Sequence, residues 1–175
     1  MEVKVKISVS EKDYINFTFY HQRQPMIWVP FIVFALLVLL CAGGDMMHGR
    51  KDNVVLICVI AMVSAVLVFL IGSLSAFFRA KRVWQSSTLL KTAGLVEATF
   101  SDAGLREESE ASTLNLGYGN ILKICETKTA FYLFVSTIQA AIIPKRCFDS
   151  TNDIQAVREL FRKNMDKKKL RLIKS

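Results

Sequence analysis

Residues 141–148 read AIIPKRCF, an apolar run broken by a proline and two cations. A flexible ammonium beside a forked guanidinium suits the oxygens of a phosphate. Lys145 and Arg146 are therefore candidate contacts for an anionic lipid headgroup or an acidic partner. The same residues have a plainer explanation. Proline cannot donate to a strand ladder, so Pro144 ends a strand, the cations turn to solvent or membrane, and Phe148 turns back as an apolar staple.

A second set of cations lies in the tail, 163–175. Lys163, Lys167, Lys168, Lys169, Arg171 and Lys174 are opposed only by Asp166, with Leu170, Leu172 and Ile173 interleaved. Each cation near an anionic surface gains ~1 kcal/mol, so Lys167, Lys168, Lys169 and Arg171 join the candidate contacts. The alternative is a frayed helix end in solvent. Arg106-Glu107-Glu108-Ser109-Glu110 gathers three carboxylates in one hairpin. Paired carboxylates work as acid and base when their environments differ, but these read as a solvated charged edge that deters sheet aggregation.

Other chemistry is hard to build from this chain. His21 and His48 are the two histidines, and no GxGxxG, Walker or HExxH pattern occurs. Cys41, Cys58, Cys125 and Cys147 lack metal-ligand spacing. Cys125 and Cys147 read as small buried hydrophobes, whereas Cys41 and Cys58 sit on opposite arms of a helical hairpin where a disulfide can be drawn. The reading is a noncatalytic protein with no catalytic, cofactor or metal residues.

The elements that carry these groups are marked by hydropathy. Mean hydropathy is +0.33, and the apolar excess is concentrated in two charge-free runs, 24–44 and 54–78, of 21 and 25 residues. As helices, both reach across a hydrocarbon core of about 30 Å. Neither has the polar face of a soluble surface helix. The reading is a transmembrane hairpin with an external loop, 45–53. A cleaved signal is disfavoured by the leader in front and by the second span behind.

Arg79, Lys81 and Arg82 follow the second run directly, and Lys4, Lys6, Lys12 and Arg23 precede the first. Positive flanks stay inside, which puts both termini in the cytoplasm. Within the spans no Asp, Glu, Lys, Arg or His occurs, so an anchor is favoured over a transporter. Ala61, Ser64, Ala65, Gly72, Ser75 and Ala76 offer a small face for the first span or, alternatively, for a second copy in a homo-oligomer.

Net charge is +8, of which residues 79–175 contribute +7 from 17 Lys/Arg and 10 Asp/Glu. An anionic inner leaflet accounts for that balance, and no nucleic-acid recognition pattern stands out.

Val3, Val5, Ile7 and Val9 alternate with Lys4, Lys6 and Ser8, the period of a half-buried strand over 1–10. A lone strand must join a sheet made elsewhere. Ser10 and Asp13 cap a helix over 11–23, whose Tyr14, Phe17 and Tyr20, with Trp28 beyond, suit the headgroup zone. Packing of that helix on the domain is the alternative.

A helical extension follows over 79–94. Six β-like runs then fill 95–148, separated by turn signals, and predict an antiparallel barrel or sandwich. An amphipathic helix and basic tail occupy 149–175, capped by Asp149, Ser150 or Thr151.

This arrangement resembles the pleckstrin-homology-like architecture. The chain resembles in particular the YcxB-like family of small bacterial membrane proteins. Matching residues are Asp13-Tyr14-Ile15 with Phe17, Tyr20 and His21, then Ser112-Thr113-Leu114, Ile121, Glu126-Thr127-Lys128, Phe131-Tyr132-Leu133-Phe134, Ile143-Pro144-Lys145-Arg146 and Phe148. Tyr118-Gly119-Asn120 stands where such sequences often carry a larger ring. The resemblance implies two spans plus a cytoplasmic domain in an inner membrane, and no established activity. The expected role is a protein-interaction scaffold or regulator, with anionic-lipid sensing as the alternative and an enzyme third.

Overall fold

The computed structural model describes residues 2–48, 54–87, 96–109 and 113–173. Residues 49–53 of the expected loop, residues 88–94 of the extension, Ser112, Lys174, and the side chains of Cys41 and His48 lie outside the described residues. So does the Cys41–Cys58 pairing.

The leader forms β1 (Val3–Ile7), with its valines and isoleucine inward and its lysines outward. It pairs antiparallel with β2 (Val96–Ser101), Val3 opposite Phe100 and Ile7 opposite Val96. β3 (Gly104–Glu108) and β4 (Thr113–Gly117) complete a four-stranded sheet in the order β1-β2-β3-β4. The β2–β3 turn depends on Gly104, whose φ of +139° is closed to ordinary side chains. A Cβ there would also clash with the Leu116 carbonyl oxygen.

A short 3-10 turn (Tyr118–Asn120) leads into the second sheet. Here β5 (Lys123–Glu126), β6 (Ala130–Phe134) and β7 (Ala140–Pro144) are antiparallel neighbours. β8 (Leu170–Arg171) adds to the free edge of β5 in parallel. The six expected strands are all present and divide between the two sheets, with no pairing of β4 to β5. The fold is a two-sheet α+β sandwich, not a closed barrel: β8 takes the edge of β5 that closure onto β4 would need. The tail is accordingly no frayed helix end.

Between β7 and β8 runs the amphipathic helix α3 (Thr151–Asn164). Ser150 caps it, accepting from the Asp153 N–H while the Asp153 carboxylate accepts from the Ser150 N–H, which satisfies two otherwise orphaned donors. Both sheets and α3 close on a ring cluster. Phe161 lies edge-on to Phe100 (6.0 Å) and Phe131 (5.7 Å), and Phe148 packs on the same two rings. β6 is buried along its whole length, and its outer-face residues Tyr132 and Phe134 are covered by Phe17 at 5.3 and 5.9 Å. Phe17, expected among headgroup rings, is thus core, because two aromatic side chains on the far face of the sheet needed cover.

The helical unit, Thr18–Arg82, holds most of α1 (Glu11–His48) and of α2 (Val54–Ser86), whose outer ends belong to the sandwich unit. The separate helix expected over 11–23 is continuous with the apolar run. Its axis turns by 41° between Glu11–Arg23 and Met26–Leu40. Among the described residues, Val55–Ser86 is the one helix that by itself is long and apolar enough to cross a membrane, and 6% of its most apolar stretch is buried. A soluble core helix would be mostly covered. Met26–Leu40 reaches that length only when joined across the bend to Glu11–Arg23. Of the small residues, Ala61 and Ala76 are buried within this unit, whereas Gly72 and Ser75 are exposed.

Candidate functional site

The strongest electrostatic feature is a carboxylate with no exposed surface. Glu126 ends β5, where neighbouring strands close over it. Lys145 Nζ reaches its Oε1 at 2.5 Å. Arg158, one turn before Phe161 in α3, grips both oxygens through Nε at 3.0 and 3.2 Å and adds Nη2. The Ile173 N–H donates to Oε2 at 3.1 Å. Four elements, β5, the turn after β7, α3 and the chain after β8, therefore meet on one side chain. Burial alone would raise the Glu126 pKa, but hydrogen bonds from Arg158, Lys145 and Ile173 outweigh it and hold the carboxyl below its ordinary range.

Lys145 was expected to face solvent or membrane; its side chain is 14% exposed and its charge is committed to Glu126. Burying a carboxylate costs several kcal/mol unless cations and donors surround it, and Lys145, also over the Phe131 ring at 5.1 Å, is one of them. Arg146 points the other way. Its Nη1 donates to Asp13 Oδ1 and its Nη2 to the Ser8 carbonyl, both at 2.6 Å. Asp13 is buried and also accepts from the N–H and hydroxyl of Ser10, the expected cap of α1. Burial opposes ionisation of Asp13, yet the Ser10 bonds and the Arg146 guanidinium bring its pKa below the usual value. Arg146 thus fastens the β1–α1 junction to the turn after β7, with half of its side chain left exposed.

The tail cations are ordered and turned outward. Asp166 caps a 3-10 turn made of Lys167, Lys168 and Lys169 by accepting from the Lys168 N–H. The turn is bracketed by buried Met165 and by Leu170, which packs on the core. All three lysines, with Arg162 and Arg171, are exposed, and none makes an ion pair among the described residues. Lys163 instead bonds Asp102 at 2.9 Å and, with Asn164, holds that carboxyl down at about 2.

Three further features follow from register. Leu122, Val135 and Ile138 form an exposed apolar tip where β5 begins and β6 turns into β7. Leu122 donates to the Phe134 carbonyl, and the Val135 N–H donates to Gln139 across the turn that presents Ile138. Glu107, expected to be solvated, lies on the inner face of the first sheet, opposite Ala98 and Leu114, and burial raises its pKa. Its neighbours Arg106 and Glu108 pair with each other on the outer face. Tyr118 packs edge-on to Phe161, donates its hydroxyl to the Ser101 carbonyl at 2.9 Å and has its pKa pushed up to about 12 by burial.

Of the remaining expected interface residues, Tyr14 packs on Trp84 at 6.1 Å and Tyr20 is half-buried. Trp28 is 64% exposed, and Arg79, Lys81 and Arg82 are exposed. Among the described residues, no group of three His, Cys, Asp or Glu side chains could hold a metal ion.

Comparison with known proteins finds no match among curated proteins and none among solved structures. Residues 100–161, from the end of β2 to Phe161 of α3 and including Glu126, Lys145 and Arg158, match the YcxB-like protein family, the family that the motifs of this chain resemble.

Proposed function

We propose that this is a two-span membrane protein that holds a pleckstrin-homology-like sandwich on the cytoplasmic face as a noncatalytic docking module. The observation that carries this reading is the pairing of β1 with β2. The strands flank the helical unit in sequence yet share one sheet, so the chain between them crosses a bilayer an even number of times or not at all. With Val55–Ser86 apolar and largely uncovered, two crossings fit and one does not. The second falls to the part of α1 that exposes Ile27, Phe31, Ile32, Leu36, Leu39 and Leu40. The cations at 79, 81 and 82 orient the pair with both termini in the cytoplasm. A bacterial inner membrane is the setting the family resemblance suggests.

The apolar tip supports a protein partner. Exposed apolar side chains gathered at one place mark interaction sites more often than scattered ones do, and here they border β7, an edge strand whose 140–144 run carries no charge. A photo-crosslinking residue at position 138 of the full chain, irradiated in native membranes, should give a discrete adduct that Leu122→Glu abolishes. Adducts to lipid alone would refute the docking role, and adducts to the same chain alone would replace it with self-association.

A further inference from the structure

We infer that the Lys167–Lys169 turn, with Arg162 and Arg171, is a preformed docking surface for anionic lipid headgroups of the membrane that anchors the chain. The five cations are exposed, and no acidic side chain among the described residues neutralises them. Asp166, the single acid within 162–171, is spent on the Lys168 backbone N–H. Met165 and Leu170 pin the turn at both ends, and β8 with the Ile173–Glu126 bond fixes the strand behind it. Little ordering cost therefore remains at the backbone when the cations meet a surface.

The occupant is chosen by proximity and charge. A headgroup layer is the polyanion held at high effective concentration by a chain that spans the same bilayer. Lysines on separate sides of a one-turn helix suit many dispersed phosphates better than one enclosed phosphate, which favours planar, forked arginine contacts. Lys145 and Arg146 are not part of this surface, since both are held by carboxylates. The inference rests on the membrane-anchored reading above.

The test uses the full chain in nanodiscs of phosphatidylcholine, with or without phosphatidylglycerol. Acetylation rates of Lys167, Lys168 and Lys169 are read by mass spectrometry against exposed Lys4 as an internal reference. Protection should appear with phosphatidylglycerol only. It should fade between 0.1 M and 1 M salt as the screening length contracts from about 10 Å to about 3 Å. Arg162→Gln with Arg171→Gln should weaken the docked-to-free ratio by about thirtyfold.

Equal rates in the two lipids overturn the proposal. Inorganic phosphate that protects equally well in neutral discs overturns it in favour of a small-anion site. A poly-glutamate peptide that protects where phosphatidylglycerol does not reassigns the surface to an acidic protein. Failure of the chain to enter nanodiscs at all would instead defeat the anchored reading.

Discussion

Glu126→Gln is the most informative single substitution. It keeps the volume of the side chain but leaves Lys145 and Arg158, whose side chains are 14% and 12% exposed, facing each other without an anion. Removing one partner of a buried ion pair costs about 3–5 kcal/mol, chiefly through the charge left uncompensated. A domain of this kind has a total stability of roughly 5–15 kcal/mol, so the variant should sit near the edge of folding. The assay is urea unfolding of the full chain in detergent, followed by near-ultraviolet circular dichroism of the sandwich aromatics. Hydrogen exchange at Ile173 supplies a local readout, since its N–H loses an ionised acceptor. The triple variant Glu126→Gln, Lys145→Met, Arg158→Met should recover most of the loss, because a buried charge cluster replaced by apolar groups is often neutral or stabilising. A Glu126→Gln cost below about 1 kcal/mol, the range of a solvent-screened surface pair, would refute the role of Glu126 as the point where four elements are held.

Other outcomes follow from the same geometry. Gly104→Ala should destabilise the first sheet in the same urea assay, since it combines a positive φ with a clash against backbone at Leu116; an unchanged midpoint would contradict that turn. Glu107→Gln should raise the thermal midpoint at neutral pH and lose that advantage under acid. The folded pKa of Glu107 is raised, so its ionisation weakens the fold as pH rises. For Glu126 and Asp13 the sign is opposite: their folded pKa values are depressed. The stability they contribute is full above ordinary carboxylate values of about 4 and declines as pH falls through the folded ones, which acid titration of the wild type against Glu126→Gln would reveal.

Much of the sandwich was legible because strands announce themselves locally. The valines of β1 alternate with lysines, and Ser101-Asp102-Ala103-Gly104 marks the β2–β3 turn with the glycine that the backbone requires. The Ser10/Asp13 capping pair spans three residues and was equally readable, whereas for α3 the sequence offers Asp149, Ser150 or Thr151 and the structure selects Ser150, paired with Asp153. What stayed hidden depends on distant partners. Lys145 turns inward because of carboxylate 126 and guanidinium 158, and nothing in AIIPKRCF encodes that. β8 was obscured by the lysine run, although the alternation of exposed Lys169, Arg171 and Ile173 with half-buried Leu170 and Leu172 was a signal that could have found it. Phe17 looked like an interfacial ring for a similar reason: the face of β6 that it covers is invisible until the sheet is assembled.

The most direct test of two crossings is thiol accessibility in intact cells. Lys6→Cys in β1 and Lys128→Cys between β5 and β6 should resist a membrane-impermeant maleimide until the cells are opened, whereas Arg50→Cys in the connector should react from outside. Labelling of position 6 or 128 in sealed cells, or recovery of the whole chain in the salt-washed soluble fraction, would contradict it.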